Sequence, residues 1–277
     1  MNQEITLIKD IEYLGPERAE KMDAYLPAPS FPGPHPAILL IHGGGWRIND
    51  KANAREISIG TDLASSGYAV FSINYLLNEA EEDENGQMQL TKVAWPQNFY
   101  DCKSALRFLR AQAHKYNLDP DRIATMGGSA GGHLAMLVGT TAHHRAFNQQ
   151  GLYTEQANTV SCMLSLYGEF DLRARPETPV RGKTPEESAR NAHDASPISW
   201  IDHCTPPVFI THGTADTIIP VQRSRLLAQH LQEMGLEYWY VEISGAGHSY
   251  DLHPAQMNLE PTVLSFLAKH LGQPHRS

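Results

Sequence analysis

Short apolar runs alternate with longer stretches of mixed polarity along most of the chain. The apolar runs are typical of buried strands and cover residues 37–41, 68–73, 122–126, 160–167, 208–211 and 238–243. Apolar residues at helical spacing predict helices at residues 98–116, 133–140, 221–234 and 261–270, and a further helix that ends at Ser66-Gly67. This alternation predicts an α/β fold with a mostly parallel, doubly wound sheet flanked by helices.

Two stretches without clear periodicity interrupt the alternation. One is the acidic segment 78–89 and the other is the Pro- and Arg-containing segment 170–199, and each directly follows a predicted strand. Segments after strand ends border the ligand crevice of an open α/β sheet, so we expect both to line the rim of a site, the second as a small cap-like insertion. The alternative is that both are plain surface loops. The pattern as a whole predicts a single domain over residues 1–277.

A glycine-rich turn stands between the predicted strand 122–126 and the predicted helix 133–140. Its sequence, Gly127-Gly128-Ser129-Ala130-Gly131, matches the nucleophile elbow Gly-x-Ser-x-Gly of α/β-hydrolases. Small residues around the serine permit a strained turn that lifts its hydroxyl into the crevice. The match alone would also suit an ordinary turn, but the flanking strand and helix favour Ser129 as a nucleophile. Gly128, directly before it, is interpreted as tolerated variation.

A serine hydroxyl is a weak nucleophile near neutral pH, so it needs a base and an acid that orients this base. Asp216 lies in the loop after the predicted strand 208–211, and a helix is predicted shortly after it. We therefore predict Asp216 as the acid. Asp171 also follows a strand and is the alternative.

The predicted base is His248. It follows the predicted strand 238–243 and comes directly after Gly245-Ala246-Gly247, whose small residues leave the imidazole free to reach the serine. His212 and His253 are the alternatives, the first beside a glycine at a strand end and the second before a proline. The order nucleophile, acid, base along the chain is that of α/β-hydrolases and differs from the orders in chymotrypsin and subtilisin.

Acyl transfer creates an oxyanion that preorganised hydrogen-bond donors must stabilise. The turn His42-Gly43-Gly44-Gly45 after the first predicted strand matches the loop that supplies such backbone donors in lipases and esterases. We assign the oxyanion hole to the N–H groups of Gly43, Gly44 and Ala130. A flexible glycine turn is the alternative. Trp46, the next residue, is a candidate substrate contact, although a tryptophan at this place more often packs beneath the loop.

The composition restricts the kinds of molecule that the protein is expected to bind. The formal net charge of −9 disfavours nucleic acid and anionic membrane surfaces, so we expect a neutral small-molecule or carbohydrate substrate. The three cysteines lack metal-ligand spacing, and the 14 histidines include no H-E-x-x-H motif, so neither a metal ion nor another cofactor is expected. No basic stretch followed by an apolar one opens the sequence, which predicts a cytoplasmic protein, or a secreted one if a leader peptide has been removed.

The chain resembles the hormone-sensitive-lipase-like esterases and, more closely, the subgroup of bifunctional feruloyl and acetylxylan esterases. The likeness spans about residues 35–270 and is carried by five pieces, at residues 42–46, 117–123, 127–135, 195–198 and 212–216. The resemblance implies the α/β-hydrolase fold and removal of acetyl or feruloyl groups from plant cell-wall xylan by a serine carboxylesterase. A general short-chain carboxylesterase or lipase-like esterase, an arylformamidase, and a ligand-binding protein on the same fold are the alternatives.

Overall fold

A computed structural model of the protein describes residues 4–174 and 179–274. The strands in this part of the chain are β1 (Thr6–Ile11), β2 (Met22–Leu26), β3 (His35–Ile41), β4 (Ala69–Ile73), β5 (Glu79–Glu82), β6 (Met88–Lys92), β7 (Leu118–Gly128), β8 (Cys162–Leu166), β9 (Val208–Gly213) and β10 (Tyr238–Ile243). The helices are α1 (Ala54–Ser65), α2 (Gln97–Ala111), α3 (Ala113–Tyr116), α4 (Ala130–Thr140), α5 (Arg145–Asn148), α6 (Pro185–Asp194), α7 (Gln222–Glu233) and α8 (Glu260–Leu271). Short 3-10 turns cover Leu172–Ala174 and Pro197–Trp200.

Eight of the strands form one sheet in the order β1-β2-β4-β3-β7-β8-β9-β10. The neighbours from β4 to β10 pair in parallel, whereas β1 and β2 are antiparallel additions at one edge. From β3 the chain continues to β4 on one side, and from β7 it continues to β8 on the other. The carboxyl ends of β3 and β7 are thus the point where strand order reverses, and this is where an open α/β sheet binds its ligand.

Helices cover both faces of this sheet because side chains alternate along the central strands. On β3, Leu39 and Ile41 pack into a core with residues of α2, α4 and α7. Ile38 and Leu40 on the same strand point the other way and pack with residues of α1 and α8. The predicted doubly wound α/β fold is therefore confirmed. No helix in residues 4–174 or 179–274 has both the length and the apolar character needed to cross a lipid bilayer.

Most predicted elements are present with small differences at their ends. The strand at 238–243 has the predicted bounds, whereas the strand predicted at 122–126 extends over Leu118–Gly128. The helix predicted at 98–116 is interrupted at Gln112, which separates α2 from α3.

The two strands added at one edge of the sheet, β1 and β2, were not predicted from the apolar pattern. Five of the six residues in β1 are exposed, so an apolar alternation is absent. In β2 the buried Asp23 interrupts the apolar run, and its charge is compensated by the Lys51 ammonium 3.2 Å away. A buried charge is tolerated when it is paired in this way.

The two segments without periodicity pack against each other. The acidic one forms the antiparallel hairpin of β5 and β6, and Arg181 donates a hydrogen bond to the Leu90 carbonyl at 2.8 Å. Asn78, directly before the hairpin, donates to the Pro179 carbonyl at 3.1 Å. The predicted cap segment 170–199 contains α6 and the two 3-10 turns, and its residues 175–178 lie outside the described part. The hairpin and the segment 179–199 thus form one joint structure.

Candidate active site

The turn between β7 and α4 holds Ser129 in a strained conformation. Its φ of 56° and ψ of −121° lie in a region that side-chain-bearing residues rarely adopt, as the nucleophile elbow requires. A Cβ on Gly131 would overlap the carbonyl oxygen of Ile41, and one on Gly127 would lie 2.6 Å from the same oxygen. Only glycine at these two positions lets the turn lie so close to β3. The serine is therefore presented at the carboxyl end of the sheet.

The structure brings Ser129, His248 and Asp216 into one hydrogen-bonded chain. His248 Nε2 lies 2.9 Å from Ser129 Oγ, and His248 Nδ1 lies 2.6 Å from Asp216 Oδ2. A carboxylate can only accept, so the imidazole donates from Nδ1 and accepts the serine proton at Nε2. The Asp216 side chain is fully buried, while that of His248 is 13% exposed. The imidazole of His248 can therefore contact a substrate, while the carboxylate of Asp216 is shielded from solvent.

Asp216 is held by donors on both of its oxygens. Its Oδ1 accepts hydrogen bonds from the N–H groups of Ile218 at 2.8 Å and Ile219 at 2.9 Å. Burial alone would raise the pKa of Asp216, but the hydrogen bonds from His248 and from these two N–H groups outweigh it and lower the pKa. The acid is ionised near neutral pH and can stabilise an imidazolium.

The alternative acid and bases occupy other places. Asp171 Oδ1 accepts from Arg173 Nε at 2.8 Å. His253 Nε2 lies 3.0 Å from Asp62 Oδ2. His212 is fully buried at the end of β9 and lies 3.1 Å from Asp216 Oδ2.

The predicted oxyanion loop runs beside the nucleophile because β3 and β7 are neighbours, with Ile41 paired to Gly127. A Cβ on Gly43 would lie 2.8 Å from the Gly128 carbonyl oxygen and 3.3 Å from Ser129 Cβ. Gly44 has a φ of 110°, which favours glycine. Ala130, the third predicted donor, is the first residue of α4, so the positive end of that helix also faces the site.

His42 anchors the start of this loop. It is fully buried and stacks on Tyr75 with ring centroids 4.5 Å apart. Its Nδ1–H donates to the Gly43 carbonyl at 2.6 Å, and the Tyr75 hydroxyl donates to the His42 carbonyl at 2.9 Å. Burial lowers the pKa of His42 to about 4, so the ring is neutral near pH 7. Sequence reasoning treated His42 only as part of the motif.

Trp46 packs beneath the loop. Its side chain lies in the core, with the residue 6% exposed, and its indole N–H donates to His133 Nδ1 at 3.2 Å. His133 in turn donates from Nε2 to the Ala195 carbonyl at 2.6 Å, and the N–H of Asn78 donates to the Trp46 carbonyl at 2.8 Å. This placement favours the packing role of Trp46 over a substrate contact. It also ties the loop to both of the segments without periodicity, which sequence reasoning did not predict.

Arg55 and Tyr167 form a second support that was not predicted. Arg55 Nη1 donates to the Tyr167 hydroxyl at 2.7 Å, and this hydroxyl donates to the Tyr250 carbonyl at 2.6 Å. A Cβ on Gly128 would come within 2.6 Å of both Arg55 Nη1 and the Tyr167 hydroxyl. The space that a side chain at position 128 would need is thus filled by the ends of these two side chains, and the interpretation of Gly128 as tolerated variation stays a prediction.

Among the described residues, no group of three or more His, Cys, Asp or Glu side chains is placed to hold a metal ion. The chemistry that the site can perform is that of a nucleophilic serine with a neighbouring base. A strained Ser129 after a parallel strand, an ordered His248 and a buried Asp216 define a serine hydrolase arrangement on the α/β-hydrolase fold.

Comparison with known proteins places the chain more narrowly. The family model described as BD-FAE matches residues 22–231, which is most of the chain, so the protein belongs to this family. The resemblance inferred from the sequence motifs is thereby confirmed. The esterase LipC of Mycobacterium tuberculosis is 29% identical over 276 residues, which cover 95% of this chain and 64% of LipC. The chain thus spans less than two thirds of this relative.

Solved structures show the same fold. A truncated form of a carbohydrate esterase from gut microbiota superposes with a TM-score of 0.81 at 25% identity, and 97% of each chain is covered. A bifunctional GH43-CE protein of Bacteroides eggerthii superposes with a TM-score of 0.76 at 28% identity, which covers 95% of this chain and 38% of the other.

Proposed function

We propose that the protein is a serine carboxylesterase that hydrolyses its substrates through an acyl-enzyme, and that its substrates are acetyl and feruloyl esters of plant cell-wall xylan. The observation that carries the proposed reaction is the unbroken hydrogen-bonded chain from Ser129 Oγ through both nitrogens of His248 to Asp216. The glycine loop beside Ser129 supplies the second requirement, donors for an oxyanion.

The reaction begins when Ser129 Oγ attacks the ester carbonyl carbon and its proton passes to His248 Nε2. The carbonyl oxygen becomes an oxyanion, which the N–H groups of Gly43, Gly44 and Ala130 stabilise. When the intermediate collapses, the carbon–oxygen bond to the alcohol breaks and His248 returns the proton to the leaving alkoxide. Asp216 holds Nδ1–H throughout and stabilises the imidazolium.

Water then enters and completes the cycle. His248 takes a proton from the water as its oxygen attacks the acyl carbon of the acyl-enzyme. The second tetrahedral intermediate releases the carboxylic acid, and the proton on His248 returns to Ser129 Oγ. This sequence consumes one ester and one water and yields one alcohol and one acid, so no external oxidant or cofactor enters the balance.

Three observations support a carbohydrate ester as the substrate. The chain belongs to the BD-FAE family. A structure that matches it end to end carries the name carbohydrate esterase, and the Bacteroides eggerthii structure is named as bifunctional GH43-CE. The acidic hairpin of β5 and β6, with exposed Glu79, Glu81 and Glu82, favours a neutral substrate over an anionic one.

The proposed substrate class is tested by a panel of acylated compounds. Purified protein is assayed on acetylated xylan, methyl ferulate, 4-nitrophenyl esters of increasing chain length and an N-formyl aryl amine. We expect the highest kcat/KM on acetylated xylan or methyl ferulate. A preference for the longer acyl esters would indicate a general or lipase-like esterase, and a preference for the formyl amide would indicate an arylformamidase; either result would overturn the xylan assignment.

The proposed reaction itself is tested by Ser129→Ala. Removal of the nucleophile in a comparable triad costs about 10⁶ in turnover, so hydrolysis of 4-nitrophenyl acetate should be lost. Ser65→Ala, an exposed serine on α1, is the matched control and should keep full activity. A folded Ser129→Ala protein that keeps most of its turnover would remove Ser129 from the mechanism.

A further inference from the structure

The catalytic carboxylate is contacted by a second imidazole. His212 Nε2 lies 3.1 Å from Asp216 Oδ2, the same oxygen that accepts from His248 Nδ1 at 2.6 Å. His212 stands near the end of β9, four residues before Asp216, and both side chains are completely buried. The two histidines therefore approach one carboxylate oxygen from different sides.

The neighbours of His212 fix the position of its proton. Its Nε2 lies 2.8 Å from the Ile219 carbonyl oxygen, and its Nδ1 lies 2.7 Å from Ser224 Oγ on α7. A carbonyl oxygen can only accept, so Nε2 carries the hydrogen and Nδ1 accepts one from the Ser224 hydroxyl. The Nε2–H group thus donates to the Ile219 carbonyl and lies 3.1 Å from Asp216 Oδ2.

The surroundings of His212 keep its ring neutral. Burial lowers its pKa, although the Ile219 carbonyl and the Asp216 charge act in the opposite direction. The charged group opposite it on β10 is Glu242, which forms an ion pair with Arg225 of α7. The catalytic imidazole and the Tyr250 hydroxyl, both from the loop after β10, also lie near Asp216. Burial raises the pKa of this hydroxyl and keeps it protonated. His212 is therefore a neutral hydrogen-bond donor.

We propose that His212 is a positioning residue for the catalytic acid: its Nε2–H holds Asp216 Oδ2 in line with His248 Nδ1, and Ser224 fixes the tautomer that makes this possible. The proposal rests on the proposed esterase reaction. With His212 in place, Asp216 Oδ1 accepts hydrogen bonds from two backbone N–H groups, and both imidazoles lie against Oδ2, that of His248 at 2.6 Å and that of His212 at 3.1 Å. A rotation of the carboxylate would therefore move it away from at least one of these groups.

Loss of this donor has a consequence that can be measured. The carboxylate gains freedom to turn away from His248, which lowers kcat and leaves binding of the substrate unaffected.

The test compares two amides at position 212. His212→Gln places its amide nitrogen near the position of Nε2 and keeps a donor for Asp216, whereas His212→Asn places it near Nδ1 and removes that donor. We expect His212→Asn to lower kcat about 10- to 100-fold, the range that one hydrogen bond to a charged group allows, with less than about a threefold change in KM. His212→Gln should recover most of the kcat.

Controls separate this role from packing and from failure of the esterase reaction. His253→Gln replaces an exposed histidine that pairs with Asp62 and should leave kcat and KM unchanged. Circular dichroism and titration with a fluorophosphonate probe count the folded, competent sites in each preparation. Equal kcat in the Asn and wild-type proteins, or equal impairment of the Asn and Gln variants, would overturn the positioning role. Retained turnover in Ser129→Ala would instead overturn the proposed reaction.

Discussion

Tyr167 stands edge-on to the catalytic His248, with ring centroids 4.8 Å apart and planes inclined by 62°. Its hydroxyl links Arg55 of α1 to the carbonyl of Tyr250, two residues beyond the histidine. The loop that carries the base is therefore tied to a helix on the far side of the nucleophile.

Tyr167→Phe should weaken this tie without removing the ring. The buried Tyr250 carbonyl and Arg55 Nη1 would each lose a partner, so the free energy of unfolding should fall by about 1–3 kcal/mol. We expect kcat to fall by up to about tenfold, because His248 would be less well held. Urea unfolding and kinetics on 4-nitrophenyl acetate measure both effects. Tyr238→Phe at the edge of the sheet is the matched control, and equal behaviour of the two variants would contradict the account.

Gly128→Ala should also disturb the contact between Arg55 and Tyr167. The added Cβ would come within 2.6 Å of Arg55 Nη1 and the Tyr167 hydroxyl, so both must move. Overpacking of this kind typically costs about 1–3 kcal/mol of stability, which urea unfolding can measure. A Cβ on Gly247 would meet nothing within 4 Å, so Gly247→Ala is the stability control. Unchanged unfolding of Gly128→Ala would show that the site tolerates a side chain.

Asp216→Asn should leave the fold intact and remove most of the activity. The amide can present its nitrogen to His248 Nδ1 and stabilise the wrong tautomer, an effect that lowers kcat about 10⁴-fold in a comparable triad. Asp171→Asn is the matched control, since Asp171 pairs with Arg173. If Asp171→Asn lost the larger share of kcat, the acid would have been assigned to the wrong residue.

Trp46→Phe separates the two roles considered for this residue. The variant loses the indole N–H that donates to His133 but keeps an aromatic ring in the core. If Trp46 positions the oxyanion loop, kcat should fall by a few-fold and KM should stay within about twofold, since the loss of one neutral hydrogen bond is worth about 1 kcal/mol. Trp239→Phe on β10 controls for loss of an indole. A rise in KM with unchanged kcat would instead indicate contact with the substrate.

Stability should fall in mild acid because of His42. Its folded pKa of about 4 lies below the ordinary value of 6.5, so the fold favours the neutral ring. A histidine of this kind contributes its full stability above the unfolded pKa and loses it as pH falls from about 6.5 towards 4, with a loss of roughly 2 kcal/mol between pH 7 and 5. Urea unfolding of wild type and His42→Gln measures this. Equal pH dependence in the two proteins would contradict it.

The nucleophile, the acid and the base could be selected from the sequence because each follows a strand of the same parallel sheet. The carboxyl ends of such strands lie at one edge, so residues as far apart as Ser129 and His248 meet there. Asp216 is then distinguished from Asp171 because the next strand after it leads into a loop that can carry the base. These signals lie close to each residue in the sequence, and the parallel sheet brings the three residues together.

The supports of the site could not be selected in this way. Arg55 and Tyr167 meet across 112 positions, and neither belongs to a motif. Their contact depends on how α1 packs against the end of β8, which apolar periodicity does not determine. His212 was considered only as a rival base because its role depends on the placement of Ser224 and Ile219 around it.

Helix α6 was not predicted, for a different reason. Thr184 caps it by accepting from the Glu187 N–H at 3.2 Å, and Pro185 occupies its first turn. Both residues are recognised helix-start signals. However, only Ala192 of the helix is buried, so the apolar spacing that identifies a helix is missing. A helix that buries few side chains shows little apolar periodicity in its sequence.

The central claim is that the hydroxyl of Ser129 is the group that forms the acyl-enzyme. The most direct measurement is peptide mapping by mass spectrometry after reaction with a fluorophosphonate probe. We predict one adduct per chain, located on Ser129, with hydrolysis of 4-nitrophenyl acetate lost in proportion to labelling. Full labelling at another residue, or an active protein that the probe leaves unlabelled, would contradict the account.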